Sequence, residues 1–266
     1  MNLDATMDKL RSMRLDGMAE AYDRQRRDPT ATELSFDQRF GMLVESHWLD
    51  ESNRAMQRRL AYAKLRQDAD LEAIDWRRPR GMTRELIAQL STCDWVRYGQ
   101  NCLITGATGV GKSWLACALA RKACRDGYRV RYTYSPKLFR DLLAASADGS
   151  LTKLIRRLAR LDLLVVDDWG MEVAKRNQYR DFLELIDERY GRTATLITSQ
   201  YPPETWHETI GDPTVADAIL DRLIHGAYRI DLEGTSMRDP GPEPNTKKSS
   251  RAARQTGPHK MTKGNR

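Results

Sequence analysis

The sequence has no apolar run approaching the roughly 18 residues that a membrane span needs, so no membrane partner is expected. No secretory leader is expected either, because Met1 to Arg14 is charged and periodic. Its four cysteines, Cys93, Cys102, Cys117 and Cys124, show no metal-ligand spacing. Cys102 falls in an apolar strand pattern, and Cys117 and Cys124 in a helical one. Reduced core thiols in a cytoplasmic protein are the natural reading. Charge of one sign is also missing from most of the chain. Residues 1–90 carry 16 basic and 16 acidic side chains, and residues 91–237 carry 20 and 19. The net charge of +7 therefore comes almost wholly from residues 238–266, which hold 8 basic and 2 acidic residues. From Asp239 onward the chain is rich in Pro, Gly, Lys, Arg and Ser without an apolar period. It is expected to be disordered, with a loose attraction for phosphate. The whole chain is 40% hydrophobic over 266 residues, enough for one large or two modest packed domains.

The most informative stretch is Gly106-Ala107-Thr108-Gly109-Val110-Gly111-Lys112-Ser113. It fits the P-loop template G-x-x-x-x-G-K-[ST]. An apolar segment, Asn101 to Thr105, precedes it as a strand, and Trp114 to Ala120 follows with helical character. The glycines let successive N–H groups face a phosphate, and the helix N-terminus adds positive partial charge. Lys112 is expected to reach the β- and γ-phosphates and Ser113 to ligate Mg²⁺. The nucleotide-binding set is thus Gly106 to Ser113 together with Trp114, and the cofactors are ATP and Mg²⁺.

Leu163-Leu-Val-Val-Asp167-Asp168 reads as a buried parallel strand ending in paired acids, the Walker B pattern. Asp167 is expected to hold Mg²⁺, directly or through water, and Asp168 to orient or deprotonate the attacking water. Thr195 to Ser199 is another apolar strand. Its terminal hydroxyls, Thr198 or Ser199, are candidates to sense the γ-phosphate. A satisfied strand-end hydroxyl is the competing reading.

The rest of the chain supplies the frame. Residues 1–70 look all-helical, with a first periodic segment from Leu3 to Ala21 and a second helix capped by Ser35. Phe36, Phe40, Leu43, Val44 and Trp48 form the apolar stripe of that second helix, and a third, basic helix runs from about Ser52 to Gln67. Residues 71–94 read as a linker around Asp75-Trp-Arg-Arg-Pro-Arg-Gly81. Residues 95–238 alternate strands and helices, and 239–266 form the tail. The fold class is α/β, a five-stranded parallel sheet with flanking helices behind a small all-helical domain. Segment Leu151 to Arg160 divides cleanly. Leu151, Leu154, Ile155 and Leu158 lie on one face, and Lys153, Arg156, Arg157 and Arg160 on the other. Four cations with no acid among them repel one another, which favours a face turned toward a polyanion.

These motifs, with Leu-Leu-Val-Val-Asp-Asp-Trp-Gly170, Thr-Leu-Ile-Thr-Ser-Gln200 and Ile-Gly-Asp-Pro-Thr-Val-Ala-Asp-Ala-Ile-Leu-Asp-Arg-Leu223, resemble the IstB-type transposition helper ATPases of insertion sequences. Those are AAA+ proteins similar to DnaC-type helicase loaders, and the resemblance covers roughly residues 1–238. It implies a P-loop AAA+ sheet and an ATPase acting at subunit interfaces. It also implies a homo-oligomer that assembles on duplex DNA without sequence preference, deforms it, and recruits and stimulates a cognate transposase. Arg222 matches the arginine finger that acts in trans; an ion pair with Asp217 or Asp221 is the alternative. Arg238 takes a possible sensor role. Lys153, Arg156 and Arg157 become the first choice for DNA contacts, with Arg160 and Arg140 beside them. One departure stands out: many AAA+ proteins have Asp-Glu where this chain has Asp167-Asp168, which predicts slow hydrolysis. Three other readings compete: a replicative helicase loader, a small-molecule phosphotransferase, and a DNA-binding scaffold in which ATP is a structural ligand.

Overall fold

The computed structural model describes residues 3–172 and 174–237. The tail from Asp239, and Arg238 before it, lie outside the described residues. Strands β1 (Cys102–Gly106), β2 (Val130–Tyr134), β3 (Leu163–Trp169), β4 (Ala194–Ser199) and β5 (Tyr228–Leu232) form one sheet. Its order is β2-β3-β4-β1-β5, and every pairing is parallel. The five-stranded parallel sheet expected from the sequence is the sheet observed.

Helices cover both faces. Before the sheet come α1 (Leu3–Ser12), α2 (Asp16–Arg27), α3 (Phe36–Ala63), α4 (Arg84–Ser91) and α5 (Asp94–Arg97). Between and after the strands come α6 (Lys112–Arg125), α7 (Ser135–Ala147), α8 (Leu151–Ala159), α9 (Arg176–Arg189), α10 (Trp206–Ile210) and α11 (Pro213–Ile224). Successive strand residues point to opposite faces, and both faces are packed. Cys102, Ile104, Leu163, Val165 and Leu196 join the core under α4, α5 and α6. Leu103, Leu164, Val166 and Ile197 join the core under α7 to α11. This is why the strands read as continuous apolar runs. The second core is rich in rings: Trp169 packs within 4.9 to 6.1 Å, centroid to centroid, of Phe139, Tyr179, Phe182 and Trp206. Arg189, also fully buried, binds the layers together. Its guanidinium donates to the carbonyls of Leu158 (2.7 Å), Leu161 (3.1 Å) and Ala194 and to the Thr195 hydroxyl (3.1 Å).

The helical N-terminal region differs from expectation in three ways. The first periodic segment is two helices, because Arg14 adopts a left-handed backbone (φ 61°) between them. The second and third expected helices are one helix of 28 residues. It starts with the predicted cap: Ser35 Oγ accepts from the Gln38 N–H and Gln38 Oε1 accepts from the Ser35 N–H. No Gly or Pro interrupts it near Asp50-Glu51-Ser52, and Arg54 bridges Asp50 at 2.9 Å and Glu51 at 3.5 Å across the expected break. It ends at Lys64, whose φ is 55°. The apolar stripe of α3 is also more exposed than its pattern implies: Phe36, Phe40, Val44 and Trp48 all face solvent. The segment 71–94 packs closely on the core, with Ile74, Ile87, Leu90 and Cys93 buried.

Candidate nucleotide site

The loop between β1 and α6 curls in a way that only glycine permits. Gly106, Gly109 and Gly111 have φ of 138°, 87° and 106°. A side chain at Gly106 would run into the Leu232 carbonyl of β5, and one at Gly109 into Ser236. Helix α6 begins immediately after the loop, so its N-terminus, the positive end of its dipole, faces the same space. Lys112 is buried, and its ammonium donates to the carbonyls of Gly106 and Ala107, both at 2.8 Å.

A cavity of about 1030 Å³ opens over this loop. Thr108 to Trp114 form its floor, while Asp168 and Gln200 enter from the strand tips. Ile74, Met82 and Leu232 give it an apolar wall that a nucleobase can cover. Met237 closes the far side, donating its N–H to the Gly109 carbonyl at 2.8 Å.

The two Walker B acids are held differently. Asp167 is fully buried, and its carboxylate accepts from Thr198 Oγ1 (2.6 Å) and from the Tyr132 hydroxyl. Burial, and then the bond to Asp167, push the Tyr132 phenol above its ordinary value, so it stays a donor. Asp168 has a left-handed backbone (φ 59°), and the β3–β4 register shifts between Val166 and Trp169. Its N–H donates to Thr198 Oγ1 at 2.9 Å. The kink brings the Asp168 side chain to the cavity, where Ser113 also lies; Asp167 does not line it. The Ser113 hydroxyl and the Asp168 carboxylate, which reach the cavity, offer oxygen donors of the kind that Mg²⁺ takes. Bound Mg²⁺–ATP would be held there by Ser113 and would supply charge neutralisation at the γ-phosphoryl group; Asp167, expected to hold the ion, is buried with both oxygens engaged by Thr198 and Tyr132. Asp168 is the Walker B carboxylate that lines the cavity.

Several expected residues sit elsewhere. Ser199, expected at the γ-phosphate, is fully buried. Its Oγ donates to the Trp169 carbonyl (2.9 Å) and accepts from the Tyr201 N–H (3.1 Å). Thr198 Oγ1 bridges the two acids, donating to Asp167 and accepting from the Asp168 N–H. The polar side chain at this strand tip that lines the cavity is Gln200, which accepts from Thr108 Oγ1 at 2.8 Å. Its signal was its position directly after the β4 hydroxyls. Arg66 was also missed. It lines the cavity with its Nη1 4.0 Å from both Asp167 and Asp168. A hydrogen bond to Tyr132, then the nearby carboxylates, hold its guanidinium above its usual value. Nothing in its local sequence marks it, because the contact is made only by the docking of the α3 end.

Arg222 lies outside the cavity. It pairs with Asp187 of α9, in place of Asp217 or Asp221, and donates to the Ala218 carbonyl at 2.8 Å. The α8 cations Lys153, Arg156, Arg157 and Arg160 are exposed together in a second cavity, and Arg140, on α7, is exposed apart from them.

Residues 8–242 match the family described as IstB-like ATP binding protein. The chain is 47% identical over 233 residues to an insertion sequence ATP-binding protein of Sinorhizobium fredii, covering 88% of this chain and 95% of that one. It is 42% identical over 201 residues to the IS1162 ATP-binding protein of Pseudomonas fluorescens, covering 75% and 87%. Among solved structures, DnaI matches with a TM-score of 0.54 at 22% identity, covering 62% of this chain and 92% of that one. The DnaC helicase loader matches with a TM-score of 0.51 at 20% identity, covering 64% and 100%. These two likenesses establish the AAA+ fold.

Proposed function

We propose that this chain, which belongs to the IstB-like ATP-binding family, is a DNA-dependent ATPase that assembles on duplex target DNA and recruits a transposase. The observation that carries the ATPase reading is the convergence of Lys112, Ser113, Asp168 and Gln200 on one cavity. Hydrolysis needs a cation on the developing γ-phosphoryl charge. Arg222 lies outside its own cavity, on the α11 surface, which suits a finger that acts on a neighbouring subunit. The DNA reading rests on the α8 cations, whose contacts should go to phosphates and carry no sequence preference. The exposed Phe36, Phe40 and Trp48 of α3 form an apolar ridge suited to the transposase or to a second copy. Relatives named for insertion sequences favour this reading over a replicative helicase loader, whose fold is the same.

Particle mass in solution, with and without duplex DNA and in ATP or ADP, tests the proposal. Growth to a large complex is expected only with ATP and DNA together, and Arg222→Ala should fail to grow. A monomer under every condition would sink the assembly model in favour of a monomeric phosphotransferase.

A further inference from the structure

The second cavity lies across the C-terminal half of α3 from the α8 helix, with a volume of about 1130 Å³. One wall is α8, with Lys153, Arg156, Arg157 and Arg160. The other is α3, with Arg58, Arg59 and Tyr62, and Arg129 leads into β2 at its end. No carboxylate lines it among the described residues. Its acid contacts are peripheral: Arg129 to Asp162 at 3.5 Å, and Arg58 to Glu51 at 4.0 Å. Cations that converge over a groove from two separate helices repel one another in the free protein. The cost is recovered when a polyanion enters.

We propose that this groove seats one phosphodiester backbone of duplex DNA, with α3 of the N-terminal region supplying the second wall. The inference rests on the DNA-binding reading of α8 and extends it to residues outside the AAA+ core. Two further observations support it. The walls are fixed to one another. Ala63 is fully buried, the Tyr62 carbonyl accepts from Arg131 of β2 at 2.9 Å, and Arg59 Nε donates to the Cys124 carbonyl of α6 at 2.8 Å. The groove is therefore preorganised and α3 is not a loose arm. Its lining is also poor in aromatic faces. Single-strand binders present open aromatic faces to the bases. Here Tyr62 is the aromatic residue of the lining, and Arg131 lies over its ring, 5.6 Å from the centroid. A backbone that keeps its bases paired suits such a surface.

The test uses the full chain with ATP and a fluorescein-labelled duplex of arbitrary sequence, read by anisotropy over a range of NaCl concentrations. Arg58→Glu tests the α3 wall and Arg156→Glu the α8 wall. Arg26→Glu, exposed on α2 away from the groove, controls for net charge. Circular dichroism checks that each variant is folded. Arg58→Glu and Arg156→Glu should each weaken binding about ten-fold or more and lower the slope of log K against log salt by about one. Arg26→Glu should change affinity by less than about two-fold. If Arg156→Glu weakens binding while Arg58→Glu matches the control, the second wall is wrong and the α8 reading stands. If wild type binds and neither groove variant differs from the control, or if wild type does not bind, both readings fall. Unlabelled single strands that compete as well as duplex would overturn the duplex assignment.

Discussion

Asp168 is the residue on which the proposed chemistry turns, and its backbone explains its identity. A left-handed φ of 59° is unfavourable for most side chains, and Asp and Asn are several-fold enriched there. Glutamate has no such tolerance, so the kink that brings this carboxylate to the cavity favours the shorter acid over the Asp-Glu of many AAA+ proteins. Asparagine keeps the backbone and removes the base. Asp168→Asn should therefore leave the fold and the Lys112 cradle intact, with ATP affinity within about three-fold of wild type. Phosphate release should fall about 10²-fold or more. Nucleotide titration and phosphate-release assays check the two halves separately. Equal loss of both would mean that Asp168 holds the nucleotide and does not act on water. Asp167 has the opposite character, since it is buried under two hydroxyl donors and is fixed before any ligand arrives.

Elements differ in how legible they were. The P-loop, the strand tips and the cap at Ser35 are local patterns, and they stand where the sequence puts them. Ser35 Oγ, for example, accepts from the Gln38 N–H at 3.3 Å. The α3 stripe misled because a period of 3.6 marks one face of a helix without saying whether that face meets the core, a partner or water. Arg66 reaches the cavity through docking, which no local window contains. Arg189 shows the same limit, because its sequence neighbourhood is an ordinary charged helix end. It satisfies carbonyls at the end of α8 and on β4 at once, so its loss orphans several buried acceptors. Arg189→Met keeps the bulk and removes the donors. It should cost on the order of 3 kcal/mol of unfolding free energy, read as a lower urea midpoint with an unchanged slope. A loss below about 1 kcal/mol would mean that water replaces the guanidinium.

For the whole molecule, two properties follow from how the layers close. The sheet buries Cys102 completely, and burial pushes its thiol up to about 12. The unfolded thiol titrates near about 8.5. Because the folded value is the higher one, its contribution is complete below about pH 8.5 and is lost as pH rises toward 12. At pH 10 the loss is about 2 kcal/mol from this thiol. Cys93, pushed up to about 12, and Cys124, to about 11, act in the same direction. Urea unfolding at pH 7 and pH 10 measures the difference, which Cys102→Ala should narrow. The second property concerns assembly. In the single subunit Arg222 is held by Asp187, a carboxylate about half exposed to solvent. On the proposed reading, a finger that serves a neighbour must leave that pair, so the pair would oppose assembly. Partly exposed pairs are worth up to about 1 kcal/mol. Asp187→Asn should then favour the ATP- and DNA-dependent complex by up to about five-fold, shifting the midpoint of a mass-versus-concentration curve downward. If Asp187→Asn weakens assembly as Arg222→Ala does, the pair itself builds the interface and Arg222 is not a finger.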